Sequence, residues 1–416
     1  MRLQLLAFLF LLTAISTAQV NSVYSRYGTG TLIYGTTARS LSYGELGTAN
    51  YDDDRINLLN PASFGSFNLT RVDFGQVLEA SFVSDTKNKN YYGGSYFPGF
   101  NIGFPVSSEH GVGIVFGVSK YSDISYEGSK DGSVTGAGSL VPINYKEQYY
   151  YDGGITKIFL GTSYRLPLGL NFGATADFYM GHFEYNSEVK FSADGVLNGI
   201  FAKEQNFKGF GASFGLLTED LNKALKIHGL DEIRLSAGYS LKSTLKGDYS
   251  SFTINNFGFQ DTTLKGDMES SIPSRFFAGI SVKFNPRTKI FADYLTQSWT
   301  DYYMTNQGSQ TLSNTFKVSA GLEYNPNTRS NTFEQDLSYR FGFSYEKLPY
   351  LISGESSYRM SAGVGISYPL SPANYIDLGL QYSFNSSNAA NYIKDNTISF
   401  VVGLSIGELW FFRSDY

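Results

Sequence analysis

The sequence predicts an all-β fold, a transmembrane antiparallel β-barrel of about 14 strands with an N-terminal hatch or plug segment in its lumen. Three observations predict it. A signal-peptide pattern opens the chain, most of the chain alternates apolar and polar residues, and the segment between these regions does not alternate. Many two-faced strands behind a signal peptide favour a closed barrel, because a sheet that spans a membrane must have no free edge.

The alternation is clearest near the end of the chain. From Ile376 to Phe384 every even-numbered residue is apolar, and every odd-numbered residue is polar or glycine. Residues 397–406 repeat the pattern, apart from Val401. A period of two gives a strand one apolar and one polar face, so we expect the apolar side chains to face lipid.

The N-terminus carries the signal-peptide pattern. Arg2 precedes an apolar stretch from Leu3 to Ile15, and small residues at 16–18 suit cleavage before Gln19. The apolar stretch is shorter than the roughly 20 residues that a membrane helix needs. The predicted division is a signal peptide at 1–18, a hatch or plug segment at 19–64 and the outer-membrane barrel at 65–416. A disordered periplasmic tail is the alternative for residues 19–64.

Composition and charge limit the partners. Loss of Arg2 with the signal peptide leaves 31 basic against 37 acidic residues, a net charge of −6, which argues against a nucleic-acid partner. The 32 Tyr, 34 Phe and 44 Gly suit aromatic girdles, strands and turns. The chain has no Cys, which excludes a disulfide and an acylated-cysteine anchor. A soluble exported β-sandwich or propeller is the alternative fold.

Turn residues divide the alternating region into about fourteen predicted strands. Their ranges are 65–84, 91–105, 111–127, 147–165, 169–190, 206–218, 232–249, 271–284, 288–304, 313–325, 336–347, 357–370, 374–385 and 396–407. An even number of strands places both termini on one rim, which we expect to be periplasmic.

Connections between these strands differ in length. Pro and Asn predict tight turns at 105–108, 285–287 and 371–374. Longer polar links are predicted at 128–146, 192–205 and 250–270. One connection, at residues 218–229, lies on the rim where the other turns are short. Its sequence predicts a short helix that is capped by Thr218 and ended by Gly229.

The sequence offers little for catalysis. His110, His182 and His228 are isolated and match no metal-binding spacing. Two segments match G-x-S-x-G, at 211–215 and 403–407. A nucleophile elbow needs a strand, a sharp turn and then a helix, whereas both matches lie in predicted strands. We therefore expect no enzyme activity, no cofactor and no metal.

Charged residues on the polar faces of the strands are candidates for the lumen. They are Arg234, Lys283, Lys317, Glu323, Arg340, Glu346, Arg359 and Asp377. Both signs are present, so two interpretations stay open: a satisfied polar network that fills the interior, or a charged pathway for a polar solute. The run Asp52-Asp53-Asp54 is either a solvated loop or a site for cation binding or plug docking.

Asn60-Pro61-Ala62 has the chemistry of a fixed turn. Proline disfavours helix at the preceding asparagine, Asn bonds nearby backbone, and Ala leaves room for close packing. We expect this tripeptide to join the plug to the first strand.

The N-terminal region resembles the FadL-type family of outer-membrane transporters for hydrophobic compounds. Residues 39–49, Asp53-Asp54 and Asn60-Pro61-Ala62 are similar to the family's glycine-bearing hatch segment, acidic pair and Asn-Pro-Ala. The tail at 407–412 is similar to the last-strand endings of related barrels. The resemblance implies a hatch inside a fourteen-stranded barrel, a greasy binding pocket and sideways release of ligand, with Asn60, Pro61 and Ala62 as the hatch motif.

A distorted strand is part of the resemblance. In that family the third strand is distorted and opens the barrel wall. Here the third predicted strand has no proline, and Pro98 is instead predicted to distort the second strand.

Two functions are predicted as alternatives. The first is passive uptake of hydrophobic or amphipathic small molecules across the outer membrane of a Gram-negative cell. The second is a non-transporting structural or accessory subunit of a multi-protein outer-membrane machine, for protein secretion or outer-membrane protein assembly. A continuous hydrophobic tunnel would favour transport, and a closed polar plug would favour the accessory subunit. The expected partners are outer-membrane lipid, a hydrophobic small molecule in the first case and other proteins in the second.

Overall fold

The computed structural model describes residues 22–408 with short gaps at 36, 86–87, 136–141, 168, 194–195, 256, 306–310, 327–336 and 391. The predicted signal peptide and most of the 407–412 tail lie outside the described residues.

Fourteen antiparallel strands form a closed barrel, which confirms the predicted barrel fold. Each strand pairs with the next in sequence, and the last pairs with the first from Glu408 opposite Thr70 to Lys394 opposite Ser84. The continuous strands are β1 (Thr70–Ser84), β3 (Val112–Val134), β4 (Ile143–Leu166), β5 (Leu170–Phe191), β6 (Gly199–Thr218), β9 (Thr288–Gln297), β10 (Thr315–Tyr324), β11 (Ser338–Ile352), β12 (Glu355–Ser371), β13 (Asn374–Ser387) and β14 (Lys394–Glu408). The interrupted strands are β2 (Lys89–Tyr96 and Gly99–Ser107), β7 (Glu232–Ser240 and Ser243–Asn255) and β8 (Gln260–Ile272 and Arg275–Asn285).

The two faces of the wall carry opposite residue types. Large apolar side chains such as Leu160, Phe341 and Leu380 are exposed on the outside. Charged side chains such as Lys317 and Asp377 are buried on the inside. This is the reverse of a soluble protein, and it is what a barrel surrounded by lipid requires.

Helices are few and short. They are α1 (Ala38–Ser42), α2 (Asn222–Leu225) and two 3₁₀ turns (Pro61–Ser63 and Trp299–Asp301). In the described part of the chain, none is long and apolar enough to cross a membrane.

The longer links are shorter than predicted. β3 reaches Val134 and β4 begins at Ile143, so most of the predicted link at 128–146 is strand. The predicted links at 192–205 and 250–270 are shortened in the same way. Residues 129–134 are mostly exposed and polar. Both faces of such a hairpin meet water, so its sequence has no alternation by which to recognise a strand.

Two of the three predicted tight turns are present, between β8 and β9 and between β12 and β13. The third prediction is wrong, because Pro105 lies within β2 and the turn follows at 108–111.

The predicted helix at 218–229 is also largely wrong. Only Asn222–Leu225 is helical, and Lys226 ends it in a left-handed conformation with φ of 52°. Thr218 ends β6 and caps nothing. Its hydroxyl accepts a hydrogen bond from the Leu235 N–H at 2.9 Å instead.

The barrel wall is split between β2 and β3. β2 is interrupted at Phe97–Pro98, as predicted from Pro98. Its second half, Gly99–Ser107, pairs with both β1 and β3. In the described structure its first half, Lys89–Tyr96, pairs with β1 alone.

A two-residue strand of the N-terminal region partly fills this split. Thr31 and Leu32 pair with Asp123 and Ser122 of β3. A segment that precedes the barrel in sequence therefore contributes to the wall on this side.

Candidate functional site

The N-terminal segment, residues 22–69, contacts strands from opposite sides of the barrel. α1 contacts β11–β14, and the Pro61–Ser63 turn contacts β4–β6. Thr31–Leu32 pairs with β3. Most of the described side chains in the segment are buried. The candidate site is the interface between this segment and the inner face of the wall.

Glycines in the wall let α1 and the residue after it approach the strands closely. A Cβ at Gly365 would lie 2.0 Å from Ser42 Oγ, and a Cβ at Gly342 would lie 2.1 Å from Tyr43 Cα. Any other residue at these positions would displace the segment, because the second contact is with backbone.

The Asn60-Pro61-Ala62 motif is fixed in the same manner. Asn60 accepts a hydrogen bond from the Ala62 N–H at 3.0 Å. Its amide donates to the carbonyls of Thr48 at 3.0 Å and Leu216 at 3.1 Å. The motif thus ties the N-terminal segment to itself and to β6. A Cβ at Gly173 of β5 would lie 2.2 Å from the Pro61 carbonyl carbon, so β5 also fits the motif closely.

A chain of alternating charges links the N-terminal segment to the wall. Arg39 Nη2 lies 2.6 Å from Asp52 Oδ2 and 2.9 Å from Glu323 Oε2. Lys289 Nζ lies 2.9 Å from Asp52 Oδ1, and Arg340 Nε lies 2.9 Å from Glu323 Oε2. Buried charges are tolerated when each has an opposite partner with good hydrogen-bond geometry, as each has here.

A second ionic cluster surrounds Lys317, which is fully buried. Its Nζ lies 2.7 Å from Glu45 Oε2 in the segment and 3.2 Å from Glu346 Oε2 in β11. Glu346 also accepts from the Tyr34 hydroxyl at 3.0 Å, and Glu45 accepts from the Gln381 amide at 2.9 Å. One wall cation thereby bridges a carboxylate of the wall and one of the segment.

Asp377 is the third junction between segment and wall. Its oxygens lie 3.6 Å from Arg340 Nη1 and 3.8 Å from Arg55 Nε. Ser367 donates a hydrogen bond to it. The Arg55 guanidinium also lies 3.8 Å from the ring centroid of Tyr375, which holds Arg55 at the wall.

The structure brings together five of the eight predicted lumen residues, namely Lys317, Glu323, Arg340, Glu346 and Asp377. Arg359 lies opposite Glu346 in the pairing of β11 with β12 and borders this network, whereas Arg234 and Lys283 lie apart from it. Arg359 donates to Asn385 Oδ1 at 3.1 Å, and the Arg234 guanidinium lies 4.4 Å from the ring centroid of Tyr51. Lys283 is half-buried near the end of β8. The geometry of the first five is that of a paired network.

Sequence reasoning missed the partners of this network. Arg39 and Glu45 lie in the non-alternating segment, where no pattern gives the direction of a side chain. Lys289 lies on the inner face of β9 together with buried Phe291, so the inner face of this strand is not recognisably polar. Asp52 belongs to the noted acidic run, and it docks the segment to the wall.

Burial and pairing act in opposite directions on the pKa values of the segment's acids. Burial alone would raise the pKa of the Glu45 carboxyl, but Lys317 and Gln381 outweigh it and hold that pKa below its ordinary value. Burial likewise opposes ionisation of Asp52, and Arg39 and Lys289 hold its pKa far below the ordinary range. Both acids are therefore charged at neutral pH.

Two cavities beside the N-terminal segment are small and bordered by charged groups. One of about 60 Å³ is lined by Arg39, Asp52 and Arg55 among others. Another of about 70 Å³ is lined by residues that include Glu45 and Glu79. A pocket for a small molecule has roughly 300–1,000 Å³. These spaces suit a few water molecules instead.

Neither G-x-S-x-G serine lies at a strand-to-helix turn. Ser213 is within β6 and donates to Asp177 Oδ2 at 2.9 Å, and Ser405 is within β14. His110 bonds Ser107 and His182 bonds Asn206. Among the described residues, no group of three or more His, Cys, Asp or Glu side chains is arranged to hold a metal ion.

The fold is similar to that of solved channels. The CymD monoaromatic hydrocarbon channel has 16% identity and a TM-score of 0.58, over 91% of this chain and 99% of that one. The toluene transporter TbuX of Ralstonia pickettii has 15% identity and a TM-score of 0.57, over 90% and 99%. A Pseudomonas aeruginosa FadL homologue has 11% identity and a TM-score of 0.63, over 91% and 99%.

Identities this low establish the fold alone, so the predicted FadL resemblance holds at the level of the barrel. Together with the apolar outer face, that fold makes the chain an outer-membrane β-barrel. No curated protein sequence matches the chain. The profile of a different family, BamG, matches residues 1–416, and the chain therefore belongs to the BamG family.

Proposed function

We propose that this chain is a non-transporting accessory subunit of a multi-protein machine that assembles proteins into the outer membrane. One observation carries the proposal: the charge chain from Lys289 through Asp52, Arg39 and Glu323 to Arg340 fixes the N-terminal segment against the wall. In this proposal the segment is a permanent plug, and the barrel serves as a membrane-embedded scaffold without a catalytic role.

Energetics support a plug that stays in place. Moving the segment would separate Arg39 from Glu323 and Glu45 from Lys317. Removing one partner from a buried ion pair costs about 3–5 kcal/mol, because the other charge is left uncompensated. The two cavities that border Arg39 and Glu45, of about 60 and 70 Å³, hold no more than a few water molecules.

Membership of the BamG family supports the accessory function. Thr70 and Glu408 are paired at one end of the wall, so both ends of the barrel lie on one rim. Short turns, such as those between β8 and β9 and between β12 and β13, share this rim. We place it in the periplasm, where short turns are usual.

Purification of the tagged full chain from its own outer membrane in mild detergent tests the proposal. We expect other membrane proteins to co-purify in stoichiometric amounts. An unrelated barrel from the same membrane, tagged and purified identically, is the control. A barrel that purifies alone, at the mass of one chain, would overturn the accessory function.

A second candidate function is passive uptake of hydrophobic or amphipathic small molecules. Two observations favour it: the fold resembles that of a monoaromatic hydrocarbon channel, and the wall is split between β2 and β3. In this case the N-terminal segment would act as a movable hatch.

A disulfide lock separates the two functions. Thr48 Oγ1 of the segment lies 2.8 Å from Ser236 Oγ of β7, and the chain has no Cys of its own. The double variant Thr48→Cys with Ser236→Cys is therefore positioned to form one disulfide. If the segment is a hatch, oxidation stops uptake of toluene or a long-chain fatty acid into proteoliposomes and reduction restores it. If it is a permanent plug, there is no uptake in either state.

A further inference from the structure

The split in the wall leaves two strand edges facing each other. On one side, Lys89–Gly94 of β2 is paired with β1 but not with β3 in the described structure. On the other side, Tyr126–Val134 of β3 is paired with β4, and no described strand pairs with its β2-facing edge. A strand edge of this kind is a template for another strand.

Two contacts show which residues of β3 direct their backbone N–H and C=O groups into the split. The Ile33 N–H donates to the Tyr121 carbonyl at 3.0 Å. The Ser125 N–H donates to Ser25 Oγ at 3.2 Å, and the same hydroxyl donates to the Ser125 carbonyl at 3.1 Å. Backbone groups of every second residue point to the same edge. The N–H and C=O groups of Glu127 and Ser129 therefore also point into the split.

This edge already accepts a strand. Thr31 and Leu32 pair with it in antiparallel register, and the Ser25 hydroxyl donates a hydrogen bond to one further residue of the edge, Ser125. Beyond Ser125, no backbone pairing joins β3 to the described residues of the N-terminal segment. The unpaired part of the edge continues the same ladder toward Val134.

A cavity of about 790 Å³ lies between the two edges. Its lining includes Tyr91 and Tyr92 on the β2 side, Tyr126 and Glu127 on the β3 side, and Arg26 of the N-terminal segment. The lining mixes tyrosine rings, both signs of charge and backbone polar groups. A hydrocarbon or a lipid tail would leave those polar groups without hydrogen bonds, whereas an extended polypeptide supplies a donor and an acceptor at every residue.

We propose that this split is a strand-addition site, in which an extended segment of a partner protein pairs with the Tyr126–Val134 edge of β3. The site rests on the accessory function proposed above, and it names the surface by which the barrel binds its partner. Main-chain hydrogen bonds to Glu127 and Ser129 provide affinity, and the tyrosines and charges of the lining select the side chains of the incoming strand.

Site-specific photo-cross-linking in intact cells tests the proposal. The photoreactive residue p-benzoylphenylalanine replaces Glu127, Ser129 or Tyr92 in turn, and mass spectrometry maps the cross-linked residue of the partner. A strand in the split contacts both edges, so all three positions should cross-link to one segment of one protein. Moving the probe from Glu127 to Ser129 should move the cross-linked site by two residues, because paired strands advance together.

Two variants at one position add a control for the backbone bond. Ser129→Pro removes the N–H that points into the split, and proline is tolerated on a free strand edge. Ser129→Ala keeps that N–H. We expect the cross-link from Tyr92 to be lost in the first variant and kept in the second, with both barrels folded by heat-modifiable electrophoresis. A probe at Leu380, on the outer face of β13, should reach lipid only.

Several results would overturn the site. These are cross-links to lipid alone, to this same chain alone, or to a protein whose cross-linked residue does not shift with the probe. If stoichiometric partners co-purify and the two-residue shift is absent, the accessory function stands and the strand-addition site is wrong. If the shift is present and nothing co-purifies in mild detergent, the strand-addition site stands and the stable-subunit function fails.

Discussion

The Lys317 ammonium of β10 lies 2.7 Å from the Glu45 carboxylate of the N-terminal segment. Lys317 has 0% of its surface exposed, so the contact is made away from water. Glu346 shares the same ammonium at 3.2 Å. A single cation therefore pairs with two buried acids, one in the wall and one in the segment, and couples the position of the segment to the integrity of the barrel.

Removing this cation should destabilise the barrel strongly. Lys317→Met removes the buried ammonium that pairs with both Glu45 and Glu346, which costs about 3–5 kcal/mol. We expect a correspondingly lower free energy of unfolding by urea in detergent micelles. Lys283→Met is the matched control, since Lys283 is half-buried near a strand end, and it should change the stability by less than about 0.5 kcal/mol. Equal stability of the two variants would contradict the assigned role of Lys317.

Protonation of Glu45 and Asp52 should weaken the docking of the segment in acid. The folded pKa of Glu45 lies below the unfolded value of about 4.3, so its contribution is complete above that pH and is lost as the pH falls through the folded pKa. Asp52 acts in the same direction. A thiol introduced by Ala49→Cys, at a position with 0% exposure, reports the docking by its rate of labelling.

We expect this thiol to stay unlabelled between about pH 5 and 8 and to become reactive only below about pH 4. Because a thiol reacts slowly in acid, labelling is scaled to that of an exposed thiol made by Asn90→Cys. A rise in scaled labelling at pH 6 would show that some other group controls the segment.

Close contact between the Asn60-Pro61-Ala62 motif and β5 predicts the effect of one methyl group. Gly173→Ala places a Cβ 2.2 Å from the Pro61 carbonyl carbon, a backbone atom that cannot rotate away. We expect a loss of about 1–3 kcal/mol in the free energy of unfolding, with faster labelling of the Ala49→Cys thiol.

The control for this variant is Gly199→Ala in β6. The nearest atom to its Cβ would be 3.8 Å away, which is ordinary contact, so neither stability nor labelling should change. If Gly173→Ala behaved like the control, the segment would have to dock elsewhere than the structure places it.

Local patterns made the barrel predictable. Lipid selects an apolar residue at every second position, so strands such as β13 and β14 can each be recognised from their own sequence. The ends of β3, β7 and β8 could not be recognised, because there both faces of the strand meet water and the alternation disappears. The interruption of β2 could be predicted from Pro98, because proline has no backbone N–H to donate to a neighbouring strand.

The candidate site was only partly predictable, since its contacts join residues far apart in sequence. Inward-facing charges such as Lys317 and Glu323 could be identified by their position in an alternating strand. Their partners could not, because Arg39 and Glu45 lie where the chain has no period. Nothing in the sequence says that Thr31–Leu32 replaces part of β2 beside β3.

Asn60→Asp should destabilise the protein, although Asp has almost the same shape as Asn. In Asn60→Asp the side chain keeps its shape and its acceptor for the Ala62 N–H, but it loses the amide that donates to the Thr48 and Leu216 carbonyls. Asn60 has 0% exposure, so two acceptors lose their donor next to a new buried charge. Each lost partner costs about 1–3 kcal/mol. Urea unfolding of Asn60→Asp should show at least that loss, whereas Asn90→Asp, at an exposed site, should not. A variant that unfolds like the parent protein would mean that the motif does not hold the segment to β6.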